Sequence, residues 1–371
     1  MKKLEKALKY YQPNKFTVET QGYNDEFETP VLTAGKSFIL GYTDETDGIF
    51  NDLPAIIFDD FTTSFHYVDF PFKVKSTAMK ILVPANNDVN LKYVYYHMQG
   101  VKIDTELHKR YWISRFSKQE IPLPPLKTQQ EIVEILDAAA ALRDHTKKLL
   151  EEYDLLAQSI FLDMFGDPVL NEKGFNIESL ANYGVFKNGL NYSKNENGIE
   201  IRNLGVGDFK SKYIINDMNT LSFIHLNQMP SEGFFLKNGD LVFVRSNGNK
   251  DLVGRCLVIH PEKELVTFSG FCIRYRLSNN LLTSNFLAQL FRIKSFKQSM
   301  LKGGRGANIQ NINQNILSEL NVPIPPITLQ NEFAEKIEII EQQKALAKQE
   351  LQESEDLFQA LLQKAFKGEL V

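Results

Sequence analysis

The chain has 371 residues, enough for two ordinary domains or one large one, and its 43% hydrophobic and 24% charged residues exclude wholesale disorder. No run of 18 apolar residues occurs, and the N-terminal MKKLEKALKYYQPNKF has lysines with no apolar core behind them, so neither a membrane span nor a signal peptide is expected and the chain is assigned to the cytoplasm. Two cysteines, Cys256 and Cys272, are too few for a disulfide framework or a four-ligand zinc site, and the net charge of −4 argues at first against a nucleic-acid partner.

Residues 1–120 read as a first mixed α/β domain. After TPVLTAGKSFILGYT (29–43), the tract DLPAIIFDDFTTS leaves a β-branched and aromatic strand for a polar turn. A second strand, TAMKILVPANN (77–87), and an apolar helical stretch, LKYVYYHMQ (91–99), follow. Gly35-Lys36-Ser37 suggests a phosphate loop, but the glycine required five residues before Gly35 is Pro30, so that pattern fails. Asp59-Asp60 has the form of a carboxylate acid/base pair; the adjoining Thr62, Thr63 and Ser64 favour instead a solvated or base-contacting loop.

Residues 121–167 form a Pro-rich lead, IPLPPLKTQQE, and a long spacer helix. The prolines impose an extended entry, and Thr128 with Glu131 has capping-box spacing. Ile135, Leu142, Leu149 and Leu156 recur as one heptad column, with Ile132, Ala139, Thr146, Tyr153 and Ile160 as the other. Residues 168–321 form a second mixed α/β domain. It repeats the order of the first: DLVFVRSNGNKDLVGR, then SGFCIRYRLSNN (269–280), then SNFLAQLFR (284–292). Residues 322–371 repeat the lead as VPIPPITLQNE and carry a C-terminal helix with Phe333, Ile340, Ala347 and Leu361, flanked by Ile337, Leu351 and Phe358. The offset of 201 holds without a gap from the leads to QSIFLDMF and QALLQKAF, which marks a duplication. Gly166 and Gly368 follow the two helices where a stop is expected.

A helix of ~38 residues, ~57 Å long, cannot bury an apolar stripe alone. The matching stripes favour an intramolecular antiparallel coiled coil over two helices packed separately. The expected fold class is thus α+β: two mixed α/β domains separated by two long antiparallel coiled-coil helices, a tandem pseudo-repeat.

Charge is unevenly spread. Lys and Arg number 18 against 12 Asp and Glu over residues 168–321, while the helical blocks have 4 against 9 and 5 against 9. A polyanion meets the local balance, and the acidic helices leave their outer faces to protein partners. No dinucleotide fingerprint, Asn-Pro-Pro-aromatic tetrapeptide or metal spacing among the six histidines is present, so no catalytic residue, metal or cofactor is expected.

The duplicated leads before long helices, FLDMFGDP (161–168), GDLVFVRSNGN (239–249) and TPVLTAGKSFILGYT resemble the specificity subunit of type I restriction-modification enzymes over essentially the whole chain. The resemblance implies a non-catalytic DNA-binding subunit of a restriction system, reading a bipartite target in double-stranded DNA with one recognition domain per half-site. It further implies methyltransferase (modification) subunits, two copies, docked on the helices, and restriction/translocase subunits within the complex. The helix pair would then act as a ruler between half-sites. Phe161, Met164, Phe165, Leu362 and Phe366 are candidates either for docking or for closing the coiled coil.

DNA contacts call for Lys, Arg, hydroxyl and amide side chains on loops. In the second domain these are Arg245, Ser246, Asn247, Asn249, Lys250 and Arg255, the alternative being a plain exposed hairpin. Arg305, Asn308 and Gln310 form a second group in a Gly-rich tract that also reads as a flexible connector, and Arg202 is a third site. In the first domain the candidates are Lys36, Ser37, Tyr42, Thr62, Thr63, Ser64, Lys109 and Arg110; Tyr111 and Trp112 beside them read as core.

Overall fold

The computed structural model describes residues 1–20, 22–35, 37–101, 110–193, 195–209, 213–302 and 311–371. The chain divides into two units, Met1–Lys148 with Lys348–Val371, and Leu149–Ala347. Each unit therefore owns one α/β domain and part of both long helices.

The first domain runs β1 (Lys2–Lys3), α1 (Leu4–Ala7), β2 (Leu8–Tyr11), β3 (Thr29–Leu32), β4 (Ile39–Thr43), β5 (Ala55–Asp59), β6 (Phe65–Val68), β7 (Lys73–Val74), β8 (Met79–Pro84), α2 (Leu91–Gly100), α3 (Tyr111–Ser114) and β9 (Glu120–Ile121), and continues into α4 (Leu126–Phe165). The second runs β10 (Asn176–Ser179), β11 (Gly184–Asn188), β12 (Ile199–Leu204), β13 (Ile214–Ile215), β14 (Ser222–Leu226), β15 (Asp240–Val244), β16 (Cys256–Ile259), β17 (Val266–Phe268), β18 (Cys272–Leu277), α5 (Ser284–Leu290), α6 (Lys294–Lys302), α7 (Gln314–Ser318) and β19 (Asn321–Ile324), and continues into α8 (Ile327–Lys367).

The duplication extends to strand order. The central sheet is β2-β8-β5-β6 in the first unit and β11-β18-β15-β16-β13 in the second; the small sheet is β4-β3-β7 in one and β14-β12-β17 in the other. In both small sheets the middle strand pairs antiparallel with one neighbour and parallel with the other. The Pro-rich leads are the strands β9 and β19, each paired antiparallel with the strand that opens its own domain. The shorter first domain thus matches the second in both sheets and differs there by the edge strand β13.

The apolar runs DLVFV and PAIIF follow from burial on both sheet faces. Leu241 and Phe243 join the core under α5, while Val242 and Val244 join a second core with Leu204 and Phe268. Likewise Ile56 and Phe58 face α2, and Ala55 and Ile57 face the core that includes Phe50 and Phe72. The side chains alternate between faces while both faces stay dry.

In the first unit Leu136 and Ala139 of α4 share a core with Phe358, Leu362 and Ala365 of α8; in the second, Ala157, Phe161 and Phe165 share one with Phe333, Ile337 and Ile340. Within each unit an early part of one helix meets a late part of the other, so the pairing is antiparallel. One heptad column differs from expectation. Ile135, Leu142 and Leu156 are 36%, 43% and 45% exposed, whereas Leu136 and Ala157, one residue on, are buried. Leucine falls both on this column and on the adjacent one, at Leu136 and Leu150, so composition alone could not fix the seam. The helix starts also differ: α4 begins at Leu126, so Thr128 lies inside it, and Pro125 O accepts the first-turn bond from Gln129 N at 3.1 Å. Gly166 and Gly368 take positive φ (72° and 77°) directly after the two helices, as expected of stop residues.

Phe165 packs on Phe286 of α5 with ring centroids 4.9 Å apart, and Phe366 packs on Tyr93 of α2 at 5.2 Å. The end of each long helix is thereby buried on a domain helix. Phe161, Phe165 and Leu362 are at most 4% exposed, which removes them as docking candidates: the domains occupy them.

Gln129 and Gln330, 201 residues apart, make the same three hydrogen bonds. Gln330 donates from Nε2 to Leu281 O and Pro325 O and accepts at Oε1 from Thr283 N, the N-cap of α5. Gln129 donates from Nε2 to Asp88 O and Pro124 O and accepts from Asn90 N, the N-cap of α2. Each glutamine ties the lead, the long helix and the domain helix together.

Candidate nucleic-acid interface

In the second unit the loop 245–255 joins β15 to β16. Its base is closed by Val244 N to Arg255 O and Gly254 N to Val244 O, both 2.9 Å. Gly254 has φ +75°, and a Cβ there would meet Met300 Cε at 2.5 Å, so the loop is pressed onto α6. Inside it, Asn247 Oδ1 accepts from Asn249 N (2.7 Å) and Asn249 Oδ1 accepts from Asp251 N (3.0 Å). The asparagine oxygens hold the loop, which leaves their Nδ2 groups to face outward partners. Asn247, Asn249 and Lys250 are exposed; Arg245 and Ser246 are half-buried.

Arg245 sits where three segments meet. Its N–H donates to Phe271 O (2.8 Å), its carbonyl accepts from Ile312 N (2.9 Å), and Ser246 bridges to Asn311. Arg255 donates from Nη1 to Phe209 O and from Nε to Asp251 O. Lys297 of α6, which sequence reasoning missed, donates to Asp251 O at 3.2 Å. Burial, with the positive charge of Arg255 adding to it, lowers the Lys297 pKa below the usual lysine range. Four cationic side chains, Arg245, Lys250, Arg255 and Lys297, thus belong to one loop and the helix beneath it. The signal for Lys297 was the amphipathic KSFKQSMLK, whose packing beneath the loop is a tertiary fact.

Arg202 on β12 is placed differently. Its guanidinium donates to Met218 O (2.8 Å) and Asn219 Oδ1 (2.7 Å), pairs with Glu264 (2.8 Å) and lies 4.5 Å over the Phe223 ring. These partners commit it to packing within its own unit. Lys36, Lys109, Arg305, Asn308 and Gln310 lie outside the described residues.

In the first unit Thr62, Thr63 and Ser64 form the tip of the β5–β6 hairpin. Asp59 Oδ1 accepts from Phe61 N (2.8 Å) and Thr62 N (2.7 Å), and Thr63 adopts φ 59°. Asp60 is not solvated: it is 1% exposed, accepts from Trp112 N at 2.8 Å through Oδ1 and from Tyr111 N at 2.9 Å through its carbonyl, and has Lys80 Nζ at 3.5 Å from Oδ2. The pair Asp59-Asp60 is an anchor, and it brings exposed Arg110, next to Tyr111, to the hairpin. His66 meets Gly35 O at 3.0 Å and Phe38 at 4.6 Å between rings, which brings the turn holding exposed Ser37 to the same hairpin. Tyr42 instead lines a shallow groove of about 490 Å³ with Ile39, Phe70 and Pro71. Tyr111 and Trp112 are 1% and 2% exposed. Among the described residues no cluster of His, Cys, Asp and Glu could hold a metal ion, and no helix is long and apolar enough to cross a membrane.

Two topologically matched α/β units, each with polar loops on a buried sheet, make up a duplicated architecture. The profile described as "Type I restriction modification DNA specificity domain" matches residues 6–153 and 175–355, and the chain belongs to this family. The specificity subunit of the type I restriction enzyme EcoR124I/EcoR124II of Escherichia coli is 41% identical over 207 residues, 52% of this chain and 50% of that one. The EcoKI specificity subunit of E. coli K12 is 28% identical over 286 residues, 69% and 58% of the two chains. The chain spans about half the length of the first of these and 58% of the second. The solved S subunit of a type I restriction-modification system from M. genitalium shares the fold with a TM-score of 0.57 at 17% identity, over 98% of this chain and 95% of that one.

Proposed function

We propose that this chain is the sequence-reading subunit of a type I restriction-modification complex. Each unit reads one half of a bipartite site in double-stranded DNA, and methyl transfer and cleavage belong to partner subunits. The observation that carries this reading is the repeated scaffold with unlike loops: matched sheets hold the short hairpin 60–64 in one unit and the longer loop 245–255 in the other. Equal frames with different reading loops suit a target whose halves differ. In the second unit Arg245, Ser246, Asn247, Asn249, Lys250, Arg255 and Lys297 serve DNA contact; in the first, Ser37, Thr62, Thr63, Ser64 and Arg110 do. The outward-facing Ile135, Leu142, Leu155, Leu346 and Leu357 offer apolar surface on both helices for modification subunits.

The test is methylome sequencing of cells with and without this gene: loss of one bipartite motif is expected, and an unchanged methylome overturns the reading. Arg245→Ala is expected to relax one half-site only, with about 1–3 kcal/mol lost for a bidentate guanine contact. Equal loss at both halves contradicts one unit per half-site.

A further inference from the structure

Phe271 is 62% exposed, between β17 and β18, and its position is fixed from three sides. Cys272 N donates to Ser269 O (2.8 Å), closing a four-residue turn with Phe271 at its third position. Gly270 N donates to Leu190 O (2.8 Å), and a Cβ at Gly270 would meet Asn191 Oδ1 at 1.9 Å, so the turn is pressed flat on the neighbouring segment. Phe271 O accepts from Arg245 N (2.8 Å).

The β15–β18 ladder pairs Val244 with Cys272, and the Arg245 N to Phe271 O bond extends that pairing by one residue. Opposite residues in an antiparallel pair project to the same face with Cβ atoms about 4.5–5.5 Å apart. Val244 and Cys272 are 0% exposed, and Arg245 and Phe271 follow them at the open end of this ladder, joined by that backbone bond. Arg245 Nη1 reaches Gly270 O at 3.5 Å. A turn fixed by these bonds therefore displays a bare aromatic ring, and Arg245 is tied to the same turn through its backbone and its guanidinium.

The major groove offers one apolar mark on base edges, the C5-methyl of thymine, in the same groove as guanine O6 and N7. Resting on the proposed function, we propose that Phe271 is the apolar specificity residue of the second unit and contacts a thymine methyl next to the base that Arg245 reads. Exposed turns ordinarily carry small polar residues, and the ring is buried only when a partner covers it.

The test uses the full chain co-purified with its modification subunits and duplexes bearing its methylome-defined site. Each thymine of the half-site assigned to the second unit is replaced in turn by uracil, which lacks only the methyl. Wild type should lose about fourfold in affinity at one such position, the worth of one buried methyl-sized group. Phe271→Ala should bind thymine and uracil duplexes alike, and Phe271→Leu should keep part of the preference; unchanged melting temperatures would show that both variants fold. Arg245→Ala should bind weakly yet retain the thymine preference. Full thymine preference in Phe271→Ala, or no sensitive thymine in wild type while Arg245→Ala impairs binding, overturns the role of Phe271 alone. Unimpaired binding by Arg245→Ala overturns the DNA-reading role of the loop and this inference with it.

Discussion

Gln330→Leu is the sharpest probe of the duplicated frame. Gln330 is 0% exposed and makes three hydrogen bonds of 2.8–2.9 Å, to Leu281 O, Pro325 O and Thr283 N. Leucine fills a similar volume but leaves all three backbone groups without a partner. Each buried orphan costs about 1–3 kcal/mol, and partial relaxation of the lead brings the total to about 2–4 kcal/mol. Gln330→Glu should be no better, because an acceptor would then face two carbonyl oxygens. Gln129→Leu removes the matching bonds at Asp88 O, Pro124 O and Asn90 N and should cost the same within about 1 kcal/mol. Urea unfolding measures the loss, and amide exchange locates it. Protection should fall within Leu149–Ala347 for Gln330→Leu, and within Met1–Lys148 and Lys348–Val371 for Gln129→Leu. A loss below about 0.5 kcal/mol at either site would refute the argument that these residues clamp lead, long helix and domain helix.

In the second unit Asp154 Oδ1 binds Lys344 Nζ (2.8 Å) and Arg292 Nη2 (2.9 Å), with Lys344 only 5% exposed; Asp154→Ala should cost about 1–2 kcal/mol, less than a fully buried pair because Asp154 is 41% exposed. Lys344 Nζ also pairs with Glu341 Oε1 (3.0 Å), so Lys344→Met should cost at least as much as Asp154→Ala in thermal unfolding: Asp154 keeps its arginine, but Glu341 loses that cation; a neutral or stabilising result would count against this account. In the first unit burial raises the Glu45 carboxyl, but the Lys73 ammonium and the N–H groups of Thr20 and Glu19 outweigh it and hold the pKa at about 2, against 4.5 unperturbed. Its contribution is therefore present above about pH 4.5 and lost as the pH falls toward 2; Glu45→Gln should flatten the acid-unfolding profile of that unit in this window, and an unchanged profile refutes it.

Much of the frame was legible because it rests on local chemistry. Proline runs impose extended leads, Gly166 and Gly368 stop helices, and β-branched runs between turn residues become strands. Part of the helix seam was misread, because Leu and Ile lie on adjacent columns and only packing shows that Leu136 is inward and Ile135 outward. Gln129 and Gln330 stood in plain view inside TQQE and TLQNE. Their role was hidden because a polar residue near a helix start reads as solvated until its backbone partners are known. The site was legible as loop composition and not as geometry. Arg202 looked like Arg245 in sequence, yet Glu264, Asn219 and Phe223 absorb it. Lys297 and Phe271 come to the loop 245–255 from α6 and the β17–β18 turn, and no local pattern announces such a meeting.

The anchors explain how one frame can carry two unlike loops. The hairpin 60–64 is held from below by Asp60, whose bonds run to Tyr111 and Trp112 and not to the tip. The loop 245–255 is held by Gly254 against Met300 and by Arg255 on Phe209 O, again away from Asn247 and Asn249. In each unit the buried anchors lie apart from the loop's exposed tip, although the Asn247 and Asn249 oxygens also brace the loop 245–255 from within. Substituting exposed tip residues such as Thr62 or Lys250 leaves these buried bonds intact, so loop chemistry can vary with little effect on stability. A duplicated chain can then diverge at Thr62–Ser64 and at 245–250 while Gln129, Gln330 and the Pro-rich leads keep both halves folded alike, which is the physical condition that the proposed reading of two different half-sites requires.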